Sequence, residues 1–337
     1  MFEKNVAHEI RLKGLFRIVK KDGDEVTYDT GWQDNLITDA GLKLLASSNY
    51  GVDLTKYLHL STNNEKPSVD DVTMKDLVAV SEPLSSESFG GDISYSVSNI
   101  SGDEYYTAIN KKYKVTKGKT YTASKIYLNE LAVLGTAPFS TALIKDLDGE
   151  ETTISVLEKE DLYVYYEIRQ YVKLEETHST INVTVRAQDK VFNVKTKPYE
   201  VGGSWWKKAT PVVSSSGANG LNNMRFGHNI STLKSYPADF TSASTVLEGF
   251  LDYNQRNASY QALPYEAENP YDRKCLIKIN TNGGNYEEGF KTLFFYNPRG
   301  VYVYEITDEN GKGIPKTSFD ELTIVFRTRV GRYDSTV

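Results

Sequence analysis

Leu162, Val164, Tyr166 and Ile168 form the longest alternating run in the chain, with Tyr163, Tyr165, Glu167 and Arg169 between them. A period of two puts successive side chains on opposite faces of an extended strand, so one face of this segment is apolar. The same period recurs in Ile10, Leu12, Phe16 and Ile18, separated by charged Arg11, Lys13 and Arg17, and again in Ile181, Val183 and Val185. Tyrosine contributes 24 of the 337 residues, and aromatic rings pack well on a pleated surface. The chain is therefore expected to be mainly β.

Turn chemistry cuts these runs into hairpins. Lys21-Asp22-Gly23-Asp24 closes a hairpin over residues 8–30, Asp146-Leu147-Asp148-Gly149 turns a second over 142–158, and Asp308-Glu309-Asn310-Gly311 closes a third. A short strand is expected over 54–60, a polar loop over 63–76, and two strands over 105–119 and 120–134 that join at Lys117-Gly118. Residues 81–103, rich in Ser and centred on Gly90-Gly91, read as an exposed loop. So do residues 214–229, rich in Ser, Asn and Gly. Further strands are expected near 276–279, 292–296, 301–307 and 322–329.

One stretch reads as a helix. In Gly31-Trp32-Gln33-Asp34-Asn35-Leu36-Ile37-Thr38-Asp39-Ala40-Gly41-Leu42-Lys43-Leu44-Leu45, Thr38 is placed to cap the first turn, and Asp39 sets negative charge at the positive end of the dipole. Ile37 and Leu42 have the spacing of a hydrophobic staple. Gly41 costs about 1 kcal/mol against Ala inside a helix, so a neighbour packed close to the backbone is expected there. The helix, near residues 38–47, is read as a plug closing one end of a β-sandwich.

The texture changes near residue 187, where Lys197-Pro198 and Gly202-Gly203 punctuate the chain and Trp205-Trp206 follow. Two β-sandwich-like regions are expected, 1–187 with the short helix and 188–337 with long loops.

The residues give little sign of chemistry. His8, His59, His178 and His228 show no i,i+4 pairing, and the single cysteine, Cys275, alternates with Ile277 and Ile279 as a buried strand residue would. Asp146-x-Asp148-Gly149 lacks the spacing of a twelve-residue calcium loop. No nucleophile elbow or phosphate-binding glycine loop is present. No catalytic residue, cofactor or metal ligand is assigned. The carboxylates Glu266 and Glu268, and Glu287 and Glu288, are the residual candidates for a glycosidase pair. Trp205, Trp206 and Tyr271 could stack on sugars or fill an interface. A net charge of −6 offers no electrostatic footprint for nucleic acid. No run reaches the roughly 18 apolar residues of a membrane helix, and the N-terminus lacks a signal-peptide core.

Four stretches carry a resemblance. "GWQDNLITDAGLKLL" is similar to the Asn-Leu-Ile-Thr-x-Ala-Gly-Leu signature of a family of tailed-bacteriophage virion proteins found in tails, baseplates and fibres. "LHLSTNNEKPSVDDVTMKDL", "YTASKIYLNELAVLG" and "FSTALIKDLDGEETTISVLEKEDLYVYYEIRQY" resemble later segments of that family in the same order, over about residues 28–175. Ser61-Thr62-Asn63-Asn64 departs from the usual Gly-rich turn, and Thr141 stands where Arg is common. The resemblance implies a non-enzymatic structural component of a phage tail (sheath-like decoration, appendage or baseplate), assembled in the host cytoplasm. Its partners would be copies of itself, as a trimeric or hexameric ring, and other tail proteins. A second reading makes 188–337 a receptor-binding module for host glycans, and a third makes the chain a glycan-degrading tail enzyme.

Overall fold

Strand β1 (Val6–Asp22) is the hub on which the sheet is built. A computed structural model describes residues 6–47, 54–84, 94–101, 104–115, 118–133, 135–173, 177–185, 188–200, 223–227, 258–262, 266–282, 285, 289–297 and 300–333. After β1 come β2 (Glu25–Asp29), β3 (Gln33–Ile37), helix α1 (Asp39–Ser47), β4 (Tyr57–Ser61), β5 (Leu77–Ser81), β6 (Ser94–Ser101) and β7 (Glu104–Val115). The middle of the chain holds β8 (Tyr121–Ala123), β9 (Lys125–Asn129), β10 (Ser140–Leu143), β11 (Ile154–Val156), β12 (Asp161–Lys173), β13 (Thr177–Val185) and β14 (Gln188–Glu200). The last elements are β15 (Asn223–Gly227), β16 (Ala258–Ala262), β17 (Asp272–Ile279), β18 (Thr292–Asn297), β19 (Gly300–Thr307) and β20 (Leu322–Arg332). The protein is mainly β, with large antiparallel sheets that include a nearly closed, barrel-like one.

One edge of β1 pairs with β12 from Arg11 to Lys21. The other edge takes three partners in succession: β20 in parallel along residues 6–12, β3 along 14–16 and β2 along 19–22. The thirteen-stranded sheet continues from β3 through β10, β9 and β4 to β5, and from β20 through β17 to β16. A five-stranded sheet has the order β13-β14-β19-β18-β15, and β8 and β11 form a short pair. The alternating run on β12 buries Leu162, Val164, Tyr166 and Ile168 to 1% exposure or less. They join Leu12, Phe16 and Ile18 of β1, Leu58 and Leu60 of β4 and Ile126 and Leu128 of β9 in one core.

The helix forms where the sequence places it. Thr38 Oγ1 accepts from Gly41 N at 3.0 Å and donates to Pro138 O at 2.5 Å, so it caps the helix and ties it to the neighbouring segment. Ile37 and Leu42, the staple pair, are both buried in the core. The close neighbour of Gly41 is the backbone of Phe139: a Cβ on Gly41 would lie 2.9 Å from Phe139 Cα and closer still to its carbonyl oxygen.

Several expectations about loops and hairpins need correcting. Within 81–103, residues 94–101 form strand β6, paired along β7. The Ser-rich composition hides a period of two, Tyr95 and Val97 between serines, that a neighbouring strand can use. Within 214–229, residues 223–227 form β15 on the edge of β18, an instance of tertiary pairing overriding weak local propensity. The turns at 146–149 and 308–311 form, with Gly149 and Gly311 at positive φ; the first closes a short antiparallel bridge between Lys145 and Glu151, but in neither case do the flanking strands pair with each other. After the first, β10 pairs with β3 and β9 while β11 pairs with β8. After the second, β19 stays in the five-stranded sheet while β20 crosses to β1. The 120–134 strand is broken at Ser124 into β8 and β9, which pair with different partners. Lys197-Pro198 lies inside β14 rather than ending it. Pro198 sits past Thr196, the last residue paired with β13, and beside a bulge, where a missing N–H is tolerated. The strands β13 and β14, which flank position 187, pair with each other, and β20 pairs with β1, so strand pairing crosses that position in both large sheets.

Candidate ligand cleft at the sheet seam

Strand β3 is the seam between the β1 side of the large sheet and the β10-β9-β4 side, and a cleft of about 990 Å³ opens along it. The chain arrives there through a tightly held corner. Arg17 Nε donates to Asp29 Oδ1 at 2.8 Å, Gly31 N donates to the same oxygen at 3.0 Å, and Ile18 N donates to Thr30 Oγ1 at 2.9 Å. Gly31 takes φ +65, a conformation that favours glycine. The corner delivers Trp32 to the mouth of the cleft with half its surface exposed.

Gln33 then fixes the opposite lip. Its Nε2 donates to Lys145 O at 2.5 Å and its Oε1 accepts from Lys145 N at 3.0 Å, so the side chain pairs with the backbone as a strand would. This brings the 145–151 turn beside Trp32, and Leu147, 77% exposed, lies against Gly31. The turn itself consumes Asp146: Oδ1 accepts from Asp148 N and Glu150 N, both at 3.0 Å. Lys66 and Pro67 line the cleft as well.

Part of the charge on the walls is paired. Lys13 and Asp34 meet at 2.9 Å, and Arg332 is bound to Asp39 and, at 2.6 Å, to Ile37 O. Two lining residues are different. Thr141 is fully buried and Asn35 is 5% exposed, yet Thr141 Oγ1 and both polar atoms of the Asn35 carboxamide have no hydrogen-bond partner. Leaving such groups unsatisfied costs roughly 1–3 kcal/mol each. A carboxamide bound to nothing loses no hydrogen bond when it turns toward a ligand. The cleft thus has an exposed indole and aliphatic rim, partly ion-paired walls and, buried just beneath them, unsatisfied neutral polar groups that a small side-chain rotation would present, a combination suited to a polar molecule with an apolar face.

The residues singled out in the sequence lie elsewhere. His59 is fully buried, its Nε2 3.0 Å from Leu131 O, and burial pushes its pKa below the ordinary range. His8 lies in β1, and His178 is exposed on β13. Cys275 is in β17 opposite Phe326. Glu266 is held by Lys274 at 2.8 Å and Asn269 at 3.3 Å, with its pKa lowered chiefly by the Lys274 hydrogen bond, while Glu268 is exposed. Tyr271 packs against the core and hydrogen-bonds Asp39 through its side chain, so it belongs to the helix anchor. Trp205, Trp206, His228, Glu287 and Glu288 lie outside the described residues. The cleft residues Trp32, Asn35 and Thr141 were not read as a site. The available signal was a tryptophan directly after a turn glycine and an asparagine at a core-facing strand position.

The fold and cleft define a mainly β protein with a mixed aromatic and polar cleft on the seam of its largest sheet. Family models, curated proteins and solved structures were compared with the chain, and none matches.

Proposed function

We propose that this chain is a structural component of a bacteriophage tail, a sheath-like decoration, appendage or baseplate protein that assembles in the host cytoplasm with copies of itself and with other tail proteins. One observation carries the reading. The four stretches that resemble the virion family are separated in sequence, yet their strands β3, β10, β9 and β4 are consecutive neighbours in the sheet, with α1 of the first stretch capped onto Phe139 of the fourth. A set of motifs that folds into one contiguous unit behaves as a shared module. Strands β5 and β16 end the strand order of the large sheet, and strand edges of this kind suit pairing between copies in closed rings. A side-chain-level cryo-electron-microscopy map of the particle tests this: the chain is expected as a ring or appendage on the tail, and its absence from purified particles would refute the proposal.

The cleft favours a second reading, recognition of a host-surface glycan, with the site at β3 rather than in 188–337. A half-exposed tryptophan can stack on a sugar ring, and neutral amide and hydroxyl groups suit sugar hydroxyls. Binding of the full chain to arrayed neutral oligosaccharides, lost in Trp32→Ala, is the expected result. Equal binding by the variant would remove the cleft from consideration.

A further inference from the structure

Under the segment that joins β4 to β5, an amine, a carboxamide and a carboxylate meet. Lys125, the first residue of β9, is 2% exposed. Its Nζ lies 3.3 Å from Asn63 Oδ1, 2.6 Å from Glu65 O and 5.4 Å from the centre of the Tyr127 ring, and among the described residues it makes no ion pair. Asn63, 8% exposed, is held in place: its N–H donates to Ser61 Oγ at 2.9 Å, and Oδ1 also accepts from Glu65 N at 3.1 Å. Its Nδ2 donates to Asp76 Oδ2 at 3.4 Å. Asp76 is the one non-glycine residue at positive φ among the described residues, and Thr62 N donates to its carbonyl at 3.1 Å. Strained backbone of this kind persists where the surroundings over-determine it.

These groups occupy the roles of an acyl transfer. We propose that Lys125 and Asn63 form an intrachain isopeptide bond, with Asp76 relaying the proton. Neutral Nζ attacks Asn63 Cγ, and the developing charge on Oδ1 faces the Glu65 N–H, a preorganised backbone donor. As the C–N bond forms, the Asp76 carboxylate takes the proton lost by Nζ and passes it to Nδ2, which departs as ammonia and leaves Asp76 ionised as before. One C–N bond forms and one breaks, so no oxidant, reductant or outside reactant is required. Burial supports the first step, because desolvation holds the Lys125 pKa below its ordinary value and enlarges the neutral fraction. The rigid placement of amine and carboxamide supplies the proximity that makes an unactivated amide reactive. The product would fasten the 62–76 segment covalently to β9, closing a loop of 62 residues, a device suited to a protein that bears load. The proposal does not depend on the tail assignment.

Mass spectrometry of the purified full chain tests it. The expected result is an intact mass lower than the sequence mass by one ammonia, together with a branched proteolytic peptide joining residues 63 and 125. The branched peptide decides, because a succinimide at an Asn-Gly step also loses ammonia. Asp76→Asn keeps the amine and carboxamide and tolerates positive φ, so this variant is expected to fold, by circular dichroism, and to give only linear peptides. Linear peptides alone from the wild-type chain after prolonged incubation would overturn the bond. A branched peptide formed at the wild-type rate in Asp76→Asn would overturn the role given to Asp76.

Discussion

Arg332 and Asp39 are 293 residues apart in the chain and form an ion pair at the first turn of the only helix among the described residues. Arg332 Nε also donates to Ile37 O at 2.6 Å, so the last strand holds both ends of the strand-to-helix junction. Burial alone would raise the Asp39 pKa, but hydrogen bonds from Arg332 and Tyr271 outweigh it and the carboxylate is held below its ordinary value. Arg332→Ala is expected to destabilise the fold by about 1–2 kcal/mol in urea denaturation, since the pair is partly solvent-screened while the Ile37 carbonyl loses its partner. An unchanged midpoint would show that the C-terminal strand does not anchor the helix.

Gly41→Ala sets two effects against each other. Helix propensity favours Ala by about 1 kcal/mol. The added methyl, however, meets the Phe139 backbone, which cannot swing aside as a flexible side chain would. Overpacking of this kind costs on the order of 1–3 kcal/mol, so net destabilisation is expected and is read from the denaturation midpoint. A stabilised variant would contradict the close approach.

Asn35→Leu is expected to do the opposite. The carboxamide is buried and unsatisfied, so an apolar residue of similar volume removes a desolvation penalty and should stabilise the chain by roughly 1–2 kcal/mol. The same change should abolish any ligand binding at the cleft. Stabilisation without loss of binding would separate Asn35 from the site, and destabilisation would mean that its amide is satisfied in the fold.

The pH dependence of stability should carry the signature of His59. Burial, the larger influence, outweighs the hydrogen bond to the Leu131 carbonyl and lowers the folded pKa below 6.5. The unfolded chain then binds more protons than the folded one between the two values, so stability rises with pH across that window. It is complete above 6.5 and is lost as pH falls toward the folded pKa. Denaturation midpoints measured from about pH 7.5 to about pH 5 should fall, and His59→Phe should flatten the slope. A wild-type profile as flat as that of the variant would exclude His59 as the cause. Below that range, Asp29, Asp39 and Glu160, all with lowered pKa values, lose their contributions as they protonate.

Local patterns in the sequence were enough to establish the long alternating strands, the turns and the helix at Asp39–Ser47. Leu162, Val164, Tyr166 and Ile168 declare their strand because burial on one face demands a period of two, and Thr38 declares its helix because capping is settled within one turn of chain. Pairing is not local. Nothing in Val6–Asp22 states that one edge will take β12 and the other will take β20, β3 and β2 in turn, because a strand edge is a row of identical backbone groups open to any partner. The strand at Ser94–Ser101, the crossing of β20 away from β19, the cleft at Trp32 and the meeting of Lys125 with Asn63 all follow from that choice. The sequence by itself determined where the strongly alternating segments extend and where they turn, through side-chain periodicity and backbone preference. Only the tertiary structure decided which edges meet, since that depends on burying all the apolar faces at once, and the cleft and the buried amine exist only where those edges meet.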